Sequence, residues 1–126
     1  PVLIERAEAM LEHMHLIDLR HNFAEELSGG QQKLLEMARM LMPDPAVVML
    51  DEPFAGVHPT LCRFMIERIE AMAAGGKTVL LISHDLTSIY RLSRRVAALN
   101  EGRVIAMGGV DEIRSNPAVV EAYLGN

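Results

Sequence analysis

Val47-Val48-Met49-Leu50-Asp51-Glu52-Pro53 decides how this chain folds. The unbroken apolar run from Ala46 to Leu50 has no polar alternation, the pattern of a strand covered on both faces in a parallel sheet. It closes on two adjacent carboxylates and a proline. In open parallel sheets ligands collect at the carboxyl ends of strands. A carboxylate there can hold a divalent cation, and its neighbour can orient and deprotonate water. Asp-Glu-Pro can equally end a strand with soluble residues, and the stretch alone leaves both readings open.

Upstream stands Leu27-Ser28-Gly29-Gly30-Gln31-Gln32-Lys33. Ser28 occupies an N-cap position and Gln31 lies three residues on, as in a capping box. The glycine turn presents unpaired N–H groups at a helix N-terminus, which favours an anion; a plain capped helix is the other reading. The helix carries Leu34, Leu35, Ala38 and Leu41 and stops at Pro43-Asp44-Pro45. Before it, Leu3, Ala7, Met10, Leu11, Met14 and Ile17 recur at helical spacing, predicting a helix from Val2 to about Asp18.

Downstream, Thr60 to Ala74 is amphipathic and halts at Gly75-Gly76, and Thr78 to Ile82 reads as a second buried strand. A short helix is expected over Leu86 to Ser93. Val96–Leu99 and Val104–Met107 flank Asn100-Glu101-Gly102-Arg103, a tight hairpin signal, before two short terminal helices near Asp111–Ser115 and Pro117–Leu124. Strand–helix–strand order implies a parallel α/β sheet with right-handed crossovers. Residues 1–42 form an all-helical subdomain in this reading, and 43–126 the α/β part. His84, in Ser83-His84-Asp85, follows the second strand at its carboxyl end, on the rim where Glu52 lies. It is suited to bonding a phosphate or positioning water; His84-Asp85 capping the next helix is the alternative. His13, His15 and His21 are expected to be solvated. His13 and His15, two apart, do not share a helix face, which argues against a metal site there.

Composition narrows the field. A net charge of −5, 4% aromatic residues and no Trp argue against nucleic-acid binding. A single cysteine, Cys62, excludes an internal disulfide and reads as a small apolar residue on a helix. No apolar stretch approaches the roughly 20 residues of a bilayer span. Glu5, Arg6, Glu8 and Glu12 break any signal-peptide pattern, so a cytoplasmic chain without membrane insertion is expected. At 50% hydrophobic residues and a mean hydropathy of +0.17, the chain suits a protein that shares core or interface with something else.

The segments LSGGQQK (27–33), VVMLDEP (47–53), AGVHP (55–59) and LLISHD (80–85), in that order, resemble the ATPase domain of ABC transporters. They correspond to its signature motif, Walker B strand, D-loop and H-switch. The resemblance implies a partial P-loop NTPase-type sheet flanked by helices. It implies that Asp51 holds Mg²⁺, that Glu52 is the catalytic base and that His84 contacts the γ-phosphate of ATP. Ser28, Gly29, Gly30 and Gln31 would close on ATP bound by the opposite subunit of a head-to-tail dimer, with Ala55, Gly56, Val57 and His58 along the dimer interface. The implied partners are a second ATPase subunit and transmembrane permease subunits, at the cytoplasmic face of the inner or plasma membrane. Asp51–Val57 and the tail segments Asn100–Ala106, Asp111–Arg114 and Asn116–Gly125 are similar to ATPase subunits of branched-chain amino-acid importers. That subgroup borders the urea/amide importers and the lipopolysaccharide-export ATPase.

Two departures stand out. No G-x-x-x-x-G-K-[ST] occurs; Gly75-Gly76-Lys77-Thr78 precedes a strand, whereas a phosphate-cradling loop follows a strand and opens a helix. The expectation is the C-terminal half of a longer ATPase, inactive alone, with a sheet edge and apolar helix faces uncovered. The competing expectation is a catalytically silent module that docks on a permease or a full-length ATPase. The second departure is His58, where most of the family carry Asp; Val57-His58-Pro59 also reads as a turn before a helix.

Overall fold

The computed structural model describes residues 1–125. Its helices are α1 Val2–His13, α2 Gly29–Leu41, α3 Pro59–Ala74, α4 Leu86–Leu92, α5 Val110–Ser115 and α6 Pro117–Leu124. Its strands are β1 Val47–Asp51, β2 Thr78–Ile82, β3 Arg95–Asn100 and β4 Arg103–Gly109. Short 3₁₀ turns lie at Ile17–Leu19 and Ala24–Glu26. By compactness the chain divides into Pro1–Ile82 and Ser83–Asn126. In the first of these, β1 pairs with β2 and α3 packs on β2.

In the first unit, α1 stops at His13, short of the expected Asp18. His15 takes φ 57°, and Leu16 N–H then donates to Leu11 O at 2.7 Å. The reversal lets both Met14 (0% exposed) and Leu16 (3%) enter the core. On a continuous helix, residues two apart would lie on opposite sides. His13 and His15 remain exposed but are engaged: Arg68 Nη1 lies 3.4 Å from the His13 ring nitrogens, and the His15 ring lies 4.6 Å from that of Phe64.

Leu34, Met37, Ala38 and Leu41 of α2, Val48 of β1, and Met65, Ile66, Ile69 and Met72 of α3 are buried apolar residues of this unit. β1 and β2 form a two-stranded parallel sheet, in register from Val47↔Thr78 to Asp51↔Ile82. The continuous apolar run predicted burial on both faces. Instead one face is covered and the other is bare, with Val47, Met49, Leu80 and Ile82 between 50% and 68% exposed. The reason is that helices cover a single side of the pair. At the amino ends of the strands, Lys77 Nζ donates to Asp44 Oδ1 (2.5 Å) and Pro45 O (2.8 Å), tying together the two loops that feed the strands.

In the second unit, Glu101 (φ 49°) and Gly102 (φ 74°) make the two-residue hairpin that joins β3 to β4, as the sequence predicted. Ala98, Ile113 and Val119 form its core, with Tyr90, Val96, Ile105 and Ala106 packed around them. Arg114 lies over the Tyr90 ring at 4.7 Å, and Tyr123 Oη donates to Leu99 O, fastening α6 to β3. Among the described residues, no helix is long and apolar enough to cross a membrane.

Candidate functional site

The start of α2 is a closed capping box. Ser28 Oγ accepts from Gln31 N–H (3.3 Å), and Gln31 Oε1 accepts from Ser28 N–H (2.9 Å). Gln32 Nε2 donates to Ala24 O and Leu27 O, holding the incoming chain against the cap. Gly29 and Gly30 differ in what surrounds them. A Cβ on Gly29 would meet nothing within 4 Å, whereas one on Gly30 would lie 2.5 Å from Leu61 Cδ2 of α3. Gly29 leaves the backbone open to approach from outside; Gly30 packs against the end of the Leu61 side chain. The first turn of a helix has N–H groups with no intrahelical acceptor, and its dipole favours an anion.

Asp51 ends β1 and is exposed. Glu52, half-buried, takes φ 46°, a conformation that costs an L-residue about 1–2 kcal/mol. Its N–H donates to Ile82 O at 2.8 Å, extending the β1–β2 ladder past the strand end, and its carbonyl accepts from Ala55 N–H at 3.2 Å. Pro53 beneath is buried. The two carboxylates therefore leave the backbone at a sharp bend that is fixed from both sides.

Ala55 and Gly56 are exposed, with Gly56 at φ 68°, and Val57 N–H donates to Phe54 O. Cys62 Sγ donates to Val57 O at 3.4 Å, which ties the loop to α3 and accounts for the lone thiol. His58 is the N-cap of α3: its Nδ1 accepts from Thr60 N–H at 3.2 Å, and Pro59 follows at the first helical position. The sequence showed the turn but not this cap, since histidine is not among the preferred capping residues.

His84 belongs to the second unit and is exposed. The residues around it are fastened. Asp85 N–H donates to Ser83 Oγ (3.0 Å), and Asp85 caps α4 by accepting from Thr87 N–H, Ser88 N–H and the buried Ser88 hydroxyl. Of the pair His84-Asp85, Asp85 supplies the side-chain cap of α4.

A cavity of about 260 Å³ opens beside Asp51, lined by Lys33, Glu36, Met37 and Met40 of α2, Met49 of β1 and Met65 of α3. A larger depression of about 450 Å³ lies over α1 among Glu5, Glu8, Glu12 and Arg20, of which Arg20 pairs with Glu8. Among the described residues no group of three His, Cys, Asp or Glu side chains comes together. That donor set does not suit a closed metal cage. It does fit Mg²⁺, which is commonly held by one or two carboxylates together with substrate phosphates and water.

A family model for ABC transporters matches residues 4–55, and one for branched-chain amino acid ATP-binding cassette transporters matches residues 103–126. The chain belongs to the ABC-transporter ATP-binding family. Within this family it is 40% identical, over 98% of its length, to a probable branched-chain amino acid transport ATP-binding protein LivG of Archaeoglobus fulgidus. It is 37% identical, over 97% of its length, to the high-affinity branched-chain amino acid transport ATP-binding protein LivG of Escherichia coli. Each alignment takes in 48% of the relative, so the chain spans about half the length of the curated relatives it matches. Two crystal structures of ATP-binding cassettes of ABC transporters, one in an ADP conformation and one nucleotide-free, superpose with a TM-score of 0.87 at 35% and 37% identity. All of this chain and 51% of each cassette are covered, which makes its architecture that of part of an α/β ABC ATPase.

Proposed function

We propose that this chain is part of the ATP-hydrolysing subunit of an ABC importer for branched-chain or related amino acids. One observation carries the reading: Asp51 and Glu52 leave a parallel strand pair at a bend locked by the Glu52 N–H to Ile82 O bond. The 40% identity to a relative named for branched-chain amino acid transport supports the substrate class.

In this mechanism Asp51 would hold Mg²⁺, directly or through water. The bound cation would supply charge neutralisation for the nucleotide's phosphates. The Glu52 carboxylate would orient the attacking water and accept its proton, and the left-handed backbone at Glu52 fixes the direction from which it does so. His84 would hydrogen-bond the γ-phosphate. The open backbone at Ser28, Gly29 and Gly30, with Gln31 closing the cap, would meet ATP held by the opposite subunit of a head-to-tail dimer. Ala55, Gly56, Val57 and His58 would line that dimer interface. Residues 1–42 would act as the signature subdomain and 43–126 as part of the catalytic core, peripheral to the membrane through a permease. Urea/amide importers and the lipopolysaccharide exporter are neighbouring assignments within the same chemistry.

A second reading is the alternative stated from the sequence. It is a silent module that docks on a permease or a full-length ATPase. Supplying the part of the Archaeoglobus fulgidus relative that this chain does not span, in fusion or in trans, separates the two. Mg²⁺-dependent ATPase that falls by about 10²–10⁴-fold in Glu52→Gln supports the enzyme reading. Absence of hydrolysis in a folded complex supports the silent module. Tested by itself, the 126-residue chain should show no ATPase above background.

A further inference from the structure

In the loop before α3 the His58 ring is held in place. Its Nδ1 accepts the Thr60 N–H at 3.2 Å. Pro59 has no N–H, so Thr60 supplies the first donor of the helix. The backbone is fixed from both sides: His58 O accepts the Cys62 N–H at 3.0 Å, and Val57 O accepts from Cys62 Sγ. A ring turned over would set a carbon against the Thr60 N–H and leave that donor unpaired. The cap therefore decides the tautomer. A neutral imidazole that accepts at Nδ1 carries its proton on Nε2. His58 is exposed, and among the described residues its Nε2 has no partner. The loop thus presents a fixed N–H donor outward. A donor that is covered without an acceptor destabilises the complex that covers it.

Resting on the function proposed above, we infer that His58 sets the polarity of recognition at the dimer interface. The opposite subunit places a carbonyl or carboxylate oxygen against Nε2–H, and neither an N–H nor a cation. His58 is a specificity determinant, with Nδ1 committed to its own helix and Nε2 to the partner. Because the cap already holds the ring, little side-chain freedom is lost on association. An aspartate at this position would cap the same N–H and offer only acceptors, which calls for the opposite partner chemistry.

Two neutral variants separate the two nitrogens. Asn sets its carbonyl oxygen where Nδ1 stands and is a strong N-cap, but it has no donor at the Nε2 position. Gln carries its amide N–H₂ out to the Nε2 position and is not among the preferred caps. Nitrogen NMR of the 126-residue chain at about pH 8, where an ordinary imidazole is neutral, should show the Nε2–H tautomer. Association is read by sedimentation with ATP, in the chain fused to the part of the Archaeoglobus fulgidus relative that it does not span. The fusion carries Glu52→Gln so that nucleotide is not consumed. His58→Gln should dimerise within about threefold of the parent although its denaturant midpoint falls. His58→Asn should keep the midpoint yet dimerise at least about tenfold more weakly. The two readouts thus rank the variants in opposite orders. An Nδ1–H ring, dimers that His58→Asn leaves at parental strength, or equal weakening by both variants overturns this proposal alone. A folded parent fusion that stays monomeric with ATP refutes the head-to-tail reading and, with it, the role of the donor.

Discussion

Gly30 stands against Leu61 with no room for a side chain: a Cβ would approach Leu61 Cδ2 to 2.5 Å. The contact joins the first turn of α2 to the first turn of α3, so the glycine turn and the loop before α3 are positioned by one another. Gly30→Ala must shift the end of the half-buried Leu61 side chain, a modest cost that offsets its gain in helix propensity. Gly29→Ala meets open space and gains helix propensity. Denaturant midpoints should therefore rank Gly29→Ala above Gly30→Ala. Adding Leu61→Ala to Gly30→Ala should recover part of the loss, and a strictly additive double mutant would contradict the contact.

His58 makes a second prediction. As the N-cap of α3 it is replaceable by a better cap: Asp accepts the same N–H bond and also favours the helix dipole. His58→Asp should match or exceed the parent in stability, whereas His58→Ala should fall below His58→Asp. Equal melting curves for the two variants would show that the cap contributes nothing.

The Asp44–Lys77 pair predicts a pH response. The Lys77 hydrogen bond, then its charge, hold the Asp44 carboxyl below its ordinary value of 3.8, with a smaller contribution from Arg6. A carboxylate depressed in the folded state stabilises fully above its unfolded value, and that contribution fades as pH falls through the folded value. Between pH 5 and 2, the parent should lose stability that Lys77→Met has already lost at neutral pH. Parallel pH curves for the two proteins would remove Asp44 from the acid response.

Asp85 accepts from two backbone N–H groups and the buried Ser88 hydroxyl. Asp85→Ala should cost about 1–3 kcal/mol, more than an ordinary cap, because the Ser88 hydroxyl is left buried without its acceptor. Asp85→Asn should recover much of the loss. Hydrogen exchange at the α4 amides would detect the change directly, and unaltered protection there would exclude Asp85 as the cap.

Local chemistry was legible in the sequence: the Ser28–Gln31 capping box, the Glu101-Gly102 hairpin and the parallel strands ending at Asp51 and Ile82 all occur as patterning dictates. What escaped it depends on residues far apart in the chain. The Gly30–Leu61 contact and the Lys77 bond to Asp44 join separate loops and helices, and no periodicity encodes them. The early end of α1 escaped because Met14 and Ile17 keep helical spacing, while the left-handed turn at His15 brings Leu16 into the core instead. The bare sheet face escaped for the opposite reason. An apolar run states that a strand should be covered, and says nothing of where the cover comes from.

Four methionines, Met37, Met40, Met49 and Met65, help line the cavity beside Asp51, and this gives the surface a chemical clock. Met37 and Met65 are 4% and 2% exposed, whereas Met49 is 68% exposed and meets dissolved peroxide first. Conversion to the sulfoxide turns a flexible apolar side chain into a polar one, and methionine sulfoxide reductases reverse it. Aerobic ageing of the uncovered chain would thus polarise the middle of its apolar face while its fold stays intact.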